Sequence, residues 1–172
     1  MAYATCHGST ESIARHIARR IDPSGAMVEC VAMRNVEDVT SYDAFVLGSA
    51  VHDQAWLPEA AEFVTRFGEV LVGRPVWLFS VGMPAALPGR IRGWAMQEEG
   101  FILAKLAADL SPCAHRLLSG VVRREHLTSG GRMKFRLMGG RYGDFRDWDE
   151  IEEWATLVAQ GLEELLATDR RP

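Results

Sequence analysis

Ala4-Thr5-Cys6-His7-Gly8-Ser9-Thr10, close to the start of the chain, runs small and hydroxyl-bearing residues straight into an amphipathic helical pattern. Its reading decides the fold. The first backbone N–H groups of a helix have no intrahelical partner and sit at the positive end of the helix dipole. The hydroxyls of Thr5, Ser9 and Thr10 add hydrogen bonds for an anion. Gly8 lets the backbone turn and approach closely. No Gly-Lys-Ser/Thr follows, so the loop is not a Walker sequence. Nor is it the Gly-x-Gly-x-x-Gly dinucleotide fingerprint. Ser and Thr also cap helices routinely, and capping alone accounts for residues of this kind.

Outward from this loop, Ile13, Ile17 and Ile21 fall at i, i+4 and i+8, with Ala14 and Ala18 beside them. They form one apolar helical stripe, ended by Asp22-Pro23-Ser24-Gly25. Pro58 suits the first turn of a second helix carrying Ala61, Phe63, Val64 and Phe67. A third helical region lies within Arg90–Leu110. A last helix spans about Trp148–Leu166, with Ile151, Trp154, Ala155, Val158, Leu162 and Leu165 inward. Asp147, three residues before Glu150, reads as its N-cap rather than as a catalytic acid.

Between these helices lie apolar runs suited to strands buried on both faces. They are Met27–Met33, Ala44–Leu47, Val76–Val81 and Leu117–Val122, with Met1–Ala4 as a short first strand. Strands alternating with helices predict an α/β fold of βαβ units around a parallel sheet. Five strands fit either doubly wound order. Ligands of such sheets sit beyond the carboxyl ends of the strands. The loops after strands one, three and four are therefore the places to look.

The second of these loops is Gly48–Pro58. Ser49, Ala50, Val51 and Asp53 surround a strand tip with room for a flat ligand, and His52 and Trp56 offer ring faces. Core packing is the competing role for Trp56, and an ordinary surface position for His52. The third loop is Ser80-Val81-Gly82-Met83 running to Gly89, with backbone amides for the polar edge of a ring system. Its prolines also fit a merely rigid turn. Together the three loops suit a mononucleotide with one terminal phosphate and a planar ring.

The chain has 172 residues, 48% hydrophobic and 24% charged, ordinary for one soluble domain over residues 1–172. It shows no secretory signal and no apolar run long enough to span a bilayer, so a cytoplasmic place is expected. Cys6, Cys30 and Cys113 are odd in number and far apart, and the five histidines lack ligand spacing. Neither a disulfide framework nor a metal site is expected. From His115 to Arg146 there are eight Lys+Arg against two Asp+Glu. That segment is +6 on a chain of net charge −4, leaving −10 elsewhere. A basic segment on an acidic body suggests an anionic partner: a carboxylated substrate, a phosphate or a membrane surface. A solvated loop has the same composition.

These motifs resemble the flavodoxin family, and within it the menaquinone-dependent protoporphyrinogen oxidases. The residues that carry the likeness are Thr5–Thr10, Leu47–His52 with Trp56-Leu57-Pro58, and Gly143–Trp148 leading to Ile151 and Trp154-Ala155. The likeness covers about Met1 to Leu166. It implies a three-layer flavodoxin-like fold with helices on both faces of a five-stranded parallel sheet ordered 2-1-3-4-5. It implies FMN, its phosphate held by Thr5, His7, Gly8, Ser9 and Thr10, with Cys6 a thiol of the same cofactor-binding loop. The isoalloxazine ring would lie between Ser49–Asp53 with Trp56 and Ser80–Met83. The implied reaction oxidises protoporphyrinogen IX, with a quinone as acceptor. The basic segment about 123–144 would be an insert that meets a membrane surface or porphyrin propionates.

No catalytic acid or base is assigned, a homodimer is an open expectation, and no nucleic-acid partner is expected. Two departures from the family pattern stand out. Only Met1–Ala4 precede the phosphate loop, and Cys6-His7 stand where small or hydroxyl residues are usual. A protonated His7 would attract phosphate, and otherwise it is a spectator. An electron-carrying flavodoxin and a flavin-free interaction protein are the rival functions, and the basic segment argues against the first.

Overall fold

The computed structural model describes residues 1–21, 26–89, 93 and 110–169. The helix expected within Arg90–Leu110, and the stop expected at Asp22–Gly25, lie outside these residues.

The main sheet is built from β1 (Ala2–Ala4), β2 (Val31–Ala32), β3 (Phe45–His52), β5 (Val76–Gly82) and β6 (Ala114–Ser119), parallel and in the order β2-β1-β3-β5-β6. This is the 2-1-3-4-5 order. A short strand, β4 (Ala55–Trp56), pairs antiparallel with β3 and makes a sixth member. Around the sheet lie α1 (Ser9–Ile21), α2 (Pro58–Val72) and, last in the chain, α4 (Trp148–Asp169). Helix α3 (Ser129–Leu137) stands apart, between β7 (Val121–Val122) and β8 (Gly143–Asp144), which pair antiparallel.

Alternation along the strands sorts the core into two layers. Ala2, Ala4, Phe45, Leu47, Val76 and Leu78 face α2 and its Ala60, Phe63, Val64 and Leu71. Tyr3, Val46, Trp77, Phe79 and Val81 face the other way, onto α1 and the Ile151, Trp154, Ala155, Val158 stripe of α4. Ile13, Ala14, Ile17, Ala18 and Ile21 are all buried, as their spacing predicts. Leu165 is not: it stands 39% exposed. Ala61 is also exposed, and Ala60 takes the inward position. Asp147 caps α4, its Oδ1 accepting from Asp149 N at 3.1 Å and Glu150 N at 3.2 Å.

Three strands differ from their expected extents. Met27–Met33 shrinks to Val31–Ala32, because Met33 opens a single 3-10 turn. Ala44–Leu47 lengthens to Phe45–His52, since Gly48, Ser49 and Ala50 continue the ladder opposite Phe79, Ser80 and Val81 of β5. Gly48 is where the Phe79 ring crosses: a Cβ there would meet the ring at 1.9 Å. Leu117–Val122 splits at Gly120, whose N–H bonds Gly82 O at 2.9 Å. Val121-Val122 then leave the parallel sheet to join β8.

The short first strand holds its central place. Each of its residues is buried, and it pairs with β2 on one side and β3 on the other. Among the described residues no helix is long and apolar enough to cross a membrane.

Candidate functional site

The carboxyl ends of β1, β3, β5 and β6 meet around the start of α1. The Thr5–Gly8 turn is held by its own hydroxyl: Thr5 Oγ1 accepts from Gly8 N–H at 3.0 Å. Gly8 takes φ +85°, a left-handed conformation that favours glycine, and open space surrounds its Cα. Cys6, His7 and Gly8 are exposed, while Thr5 and Ser9 are half-buried. Thr10, in the first turn of α1, is fully buried, and its Oγ1 has no hydrogen-bond partner. A buried hydroxyl without a partner costs about 1–3 kcal/mol. The loop thus combines a helix N-terminus, an open glycine turn and an orphaned hydroxyl. That donor set fits a phosphate.

Sequence left His7 either to attract phosphate when protonated or to be a spectator, and its surroundings disfavour the charged form. Burial lowers its pKa below the usual value, and the neighbouring His126 and His52 push the same way against Glu125. The His7 ring stacks on that of His126, centroids 3.8 Å apart and planes 5° from parallel.

The second region is a hairpin rather than an open loop. Gly48–His52 belong to β3, and the chain reverses at Asp53-Gln54, with φ of 47° and 62°. Positive φ at both central residues is the geometry of a two-residue type I′ turn. Ala50 and Val51 are half-exposed, and His52 and Asp53 are exposed at the tip. Trp56, expected to offer a ring face, is instead 6% exposed. Its indole N–H donates to Ser80 Oγ at 2.8 Å. Pairing with Val51 turns the ring into the core, where it closes the hairpin against β5.

Ser49 and Ser80 are likewise fully buried. Ser49 Oγ donates to Ala50 O at 2.8 Å and accepts from Leu57 N at 3.1 Å. Ser80 Oγ lies 2.9 Å from His115 Nε2. Burial drives the His115 pKa down to about 4, so this ring is neutral at pH 7. Ser49, Trp56 and Ser80 therefore brace the walls of the site rather than line it. Val81 is buried, whereas Gly82 and Met83 reach the edge.

Folding also brings together residues that spacing along the chain kept apart. Ligand atoms of Cys6, His7 and His52 lie within 4.8 Å of one another. The expectation of no metal-ligating set came from sequence spacing, and the β3–β4 hairpin overturns that spacing argument by returning His52 to the first loop. All three cysteines are free.

Three further residues at this edge were not picked out as site residues by sequence. Arg146 Nη1 donates to Ser12 Oγ at 2.8 Å, next to the first turn of α1. Its guanidinium also binds Asp144 and holds that carboxyl below the usual range. Gly120 packs so closely that a Cβ would lie 3.1 Å from Ser9 Oγ and 2.8 Å from Val81. His126, stacked on His7, completes the group. Each is remote in sequence from the residue it touches, so no local pattern marks it.

A flavodoxin-domain family model matches residues 1–144. No curated protein matches the chain. Among solved structures, a short-chain flavodoxin associated with a non-canonical PDU bacterial microcompartment superposes with a TM-score of 0.60 at 14% identity, covering 95% of each chain. Rubredoxin:oxygen oxidoreductase from Desulfovibrio gigas gives 0.58 at 15% identity over 96% of this chain and 36% of that one. The flavodiiron protein from Giardia intestinalis gives 0.60 at 12% identity over 95% and 34%. The chain thus spans about a third of the length of those two oxidoreductases. Identities this low speak for the fold alone, whereas the family model covers most of the chain: the protein belongs to the flavodoxin domain family and has its α/β fold.

Proposed function

We propose that this protein is an FMN-dependent oxidoreductase that oxidises a porphyrinogen of the protoporphyrinogen IX type and passes the electrons to a quinone. The observation that carries the flavin reading is Thr10 Oγ1, buried and unpartnered in the first turn of α1. The loop Thr5–Thr10 would hold the FMN phosphate, using the α1 N-terminus and the open turn at Gly8. The half-exposed rim at Ala50–Val51 and Gly82–Met83 would flank the ring. Bound FMN supplies the redox chemistry itself. The chain's own residues position and shield it, with Ser49, Trp56 and Ser80 fixing the walls from behind.

The enzyme reading rests on the basic segment. It folds as an appendage, with α3 seated on the buried Phe135 and with Ala86, Leu87 and Val122 beneath. Met133 is 66% and Leu137 82% exposed, beside exposed Lys134, Arg136 and Arg141. An apolar and cationic surface suits an anionic membrane face, where a quinone resides, and the carboxylates of a porphyrinogen. A carrier role is the second reading, kept open by the flavodoxin-domain family model over residues 1–144.

Anaerobic incubation with protoporphyrinogen and a quinone separates the two. Stoichiometric porphyrin formation, lost when residues 123–142 are replaced by a short Gly/Ser turn while FMN is retained, supports the enzyme. FMN retention with no porphyrin formation leaves the carrier.

A further inference from the structure

We infer that Cys6, His7 and His52 form a three-ligand site for zinc, with a fourth position open. The set joins one thiol and two imidazoles, the ligand types Zn²⁺ prefers. It draws on two elements far apart in sequence, the first loop and the β3–β4 hairpin. All ligand atoms already lie within 4.8 Å of one another. Tetrahedral Zn²⁺, with bonds of about 2.0–2.3 Å, needs its ligand atoms about 3.5 Å apart. The three side chains are exposed, so rotation of Cys6 and His52 about their own bonds, toward the stacked His7 ring, closes the difference.

Two independent features hold the geometry. The type I′ turn places two non-glycine residues, Asp53 and Gln54, at positive φ. That conformation costs of order 1 kcal/mol per residue and is retained at the point that aims His52 at the first loop. On the other side, the His126 ring lies flat on His7 and fixes the plane of its imidazole. His126 itself takes no part as a ligand in this arrangement, since its Nδ1 accepts from Arg123 N.

With one thiolate and two neutral imidazoles, bound Zn²⁺ leaves a net charge of +1 beside the α1 N-terminus. The fourth position is open to water or to an oxygen of an anionic ligand. The inference rests on these three side chains and not on the flavin reading.

The test uses the purified full chain, freed of flavin and treated with a chelator, and titrates the metal alone. Calorimetry should show one Zn²⁺ per chain, and Co²⁺ should give a sulfur-to-cobalt charge-transfer band. Cys6→Ser should abolish that band, and Cys6→Ser and His52→Ala should each weaken Zn²⁺ at least about tenfold. Cys113→Ser, at an exposed thiol elsewhere, should change neither. No stoichiometric zinc, equal affinity in the Cys6 and His52 variants, or a cobalt band that survives Cys6→Ser overturns the site. The Cys6 and His52 variants are made separately, so misfolding of one leaves the other as the test. Flavin affinity is read separately, through Thr10 in metal-free protein, so failure of the zinc site and failure of the flavin reading are distinguishable.

Discussion

At the scale of single residues, the hydroxyl-rich loop owes its meaning to Thr10. An isosteric Thr10→Val change removes the orphaned hydroxyl while keeping its volume, so the flavin-free protein should unfold at no lower urea concentration. FMN binding should weaken by about 1–2 kcal/mol. Chemical denaturation and flavin titration read the two effects separately, and equal FMN affinity in the variant would remove the contact. His115 predicts a pH dependence. Its folded pKa of about 4 lies below its ordinary value of 6.5. The unfolded chain therefore binds the proton first as pH falls. The stability this ring contributes is intact above pH 6.5, declines between 6.5 and about 4, and levels off below. His115→Gln, able to keep a hydrogen bond to Ser80, should flatten that decline by about 1–3 kcal/mol. Urea unfolding at both ends of the window checks this, and an unchanged slope would contradict it. Gly48→Ala drives a Cβ into the Phe79 ring. It should cost about 1–3 kcal/mol, read as a lowered Tm.

At the scale of elements, the helices were the legible part. The isoleucine stripe of α1, Pro58 at the head of α2 and the Asp147 cap are local patterns, and each element lies where its pattern puts it. The strand ends were less legible. Gly48-Ser49 read as a stop because small residues favour turns, but ladder pairing with β5 carries β3 on to His52. The hairpin was hidden for the same reason: Asp53-Gln54 lacks the glycine that usually marks a type I′ turn. Trp56 stayed open between core packing and a ring face, because burial depends on a cross-strand partner, Val51, that no local window shows. The basic insert was legible in its charge but not in its fold, which hangs on one buried ring, Phe135. Phe135→Ala should release α3 while leaving the main sheet folded, since the cluster beneath it is separate from both main cores. Amide exchange across residues 129–137 should accelerate alone, and exchange accelerating across β3 and β5 as well would contradict that independence.

At the scale of the whole molecule, layering and sheet order bring β1, β3, β5 and β6 to one edge, and this was visible from the alternation of strands and helices. The contacts that complete that edge were not, because they join residues more than a hundred positions apart: Arg146 with Ser12, Gly120 with Ser9, His126 with His7. The three-residue β1 shows how a short strand serves at the centre of a sheet, with partners on both sides and every residue buried. The flavin reading depends on the loop that β1 presents. Its direct test is equilibrium titration of the flavin-free chain with FMN, followed by the absorption spectrum and the quenching of flavin fluorescence. The account predicts saturation at about one FMN per chain, with affinity reduced in Thr10→Val. A folded chain that neither quenches nor retains the flavin would contradict it.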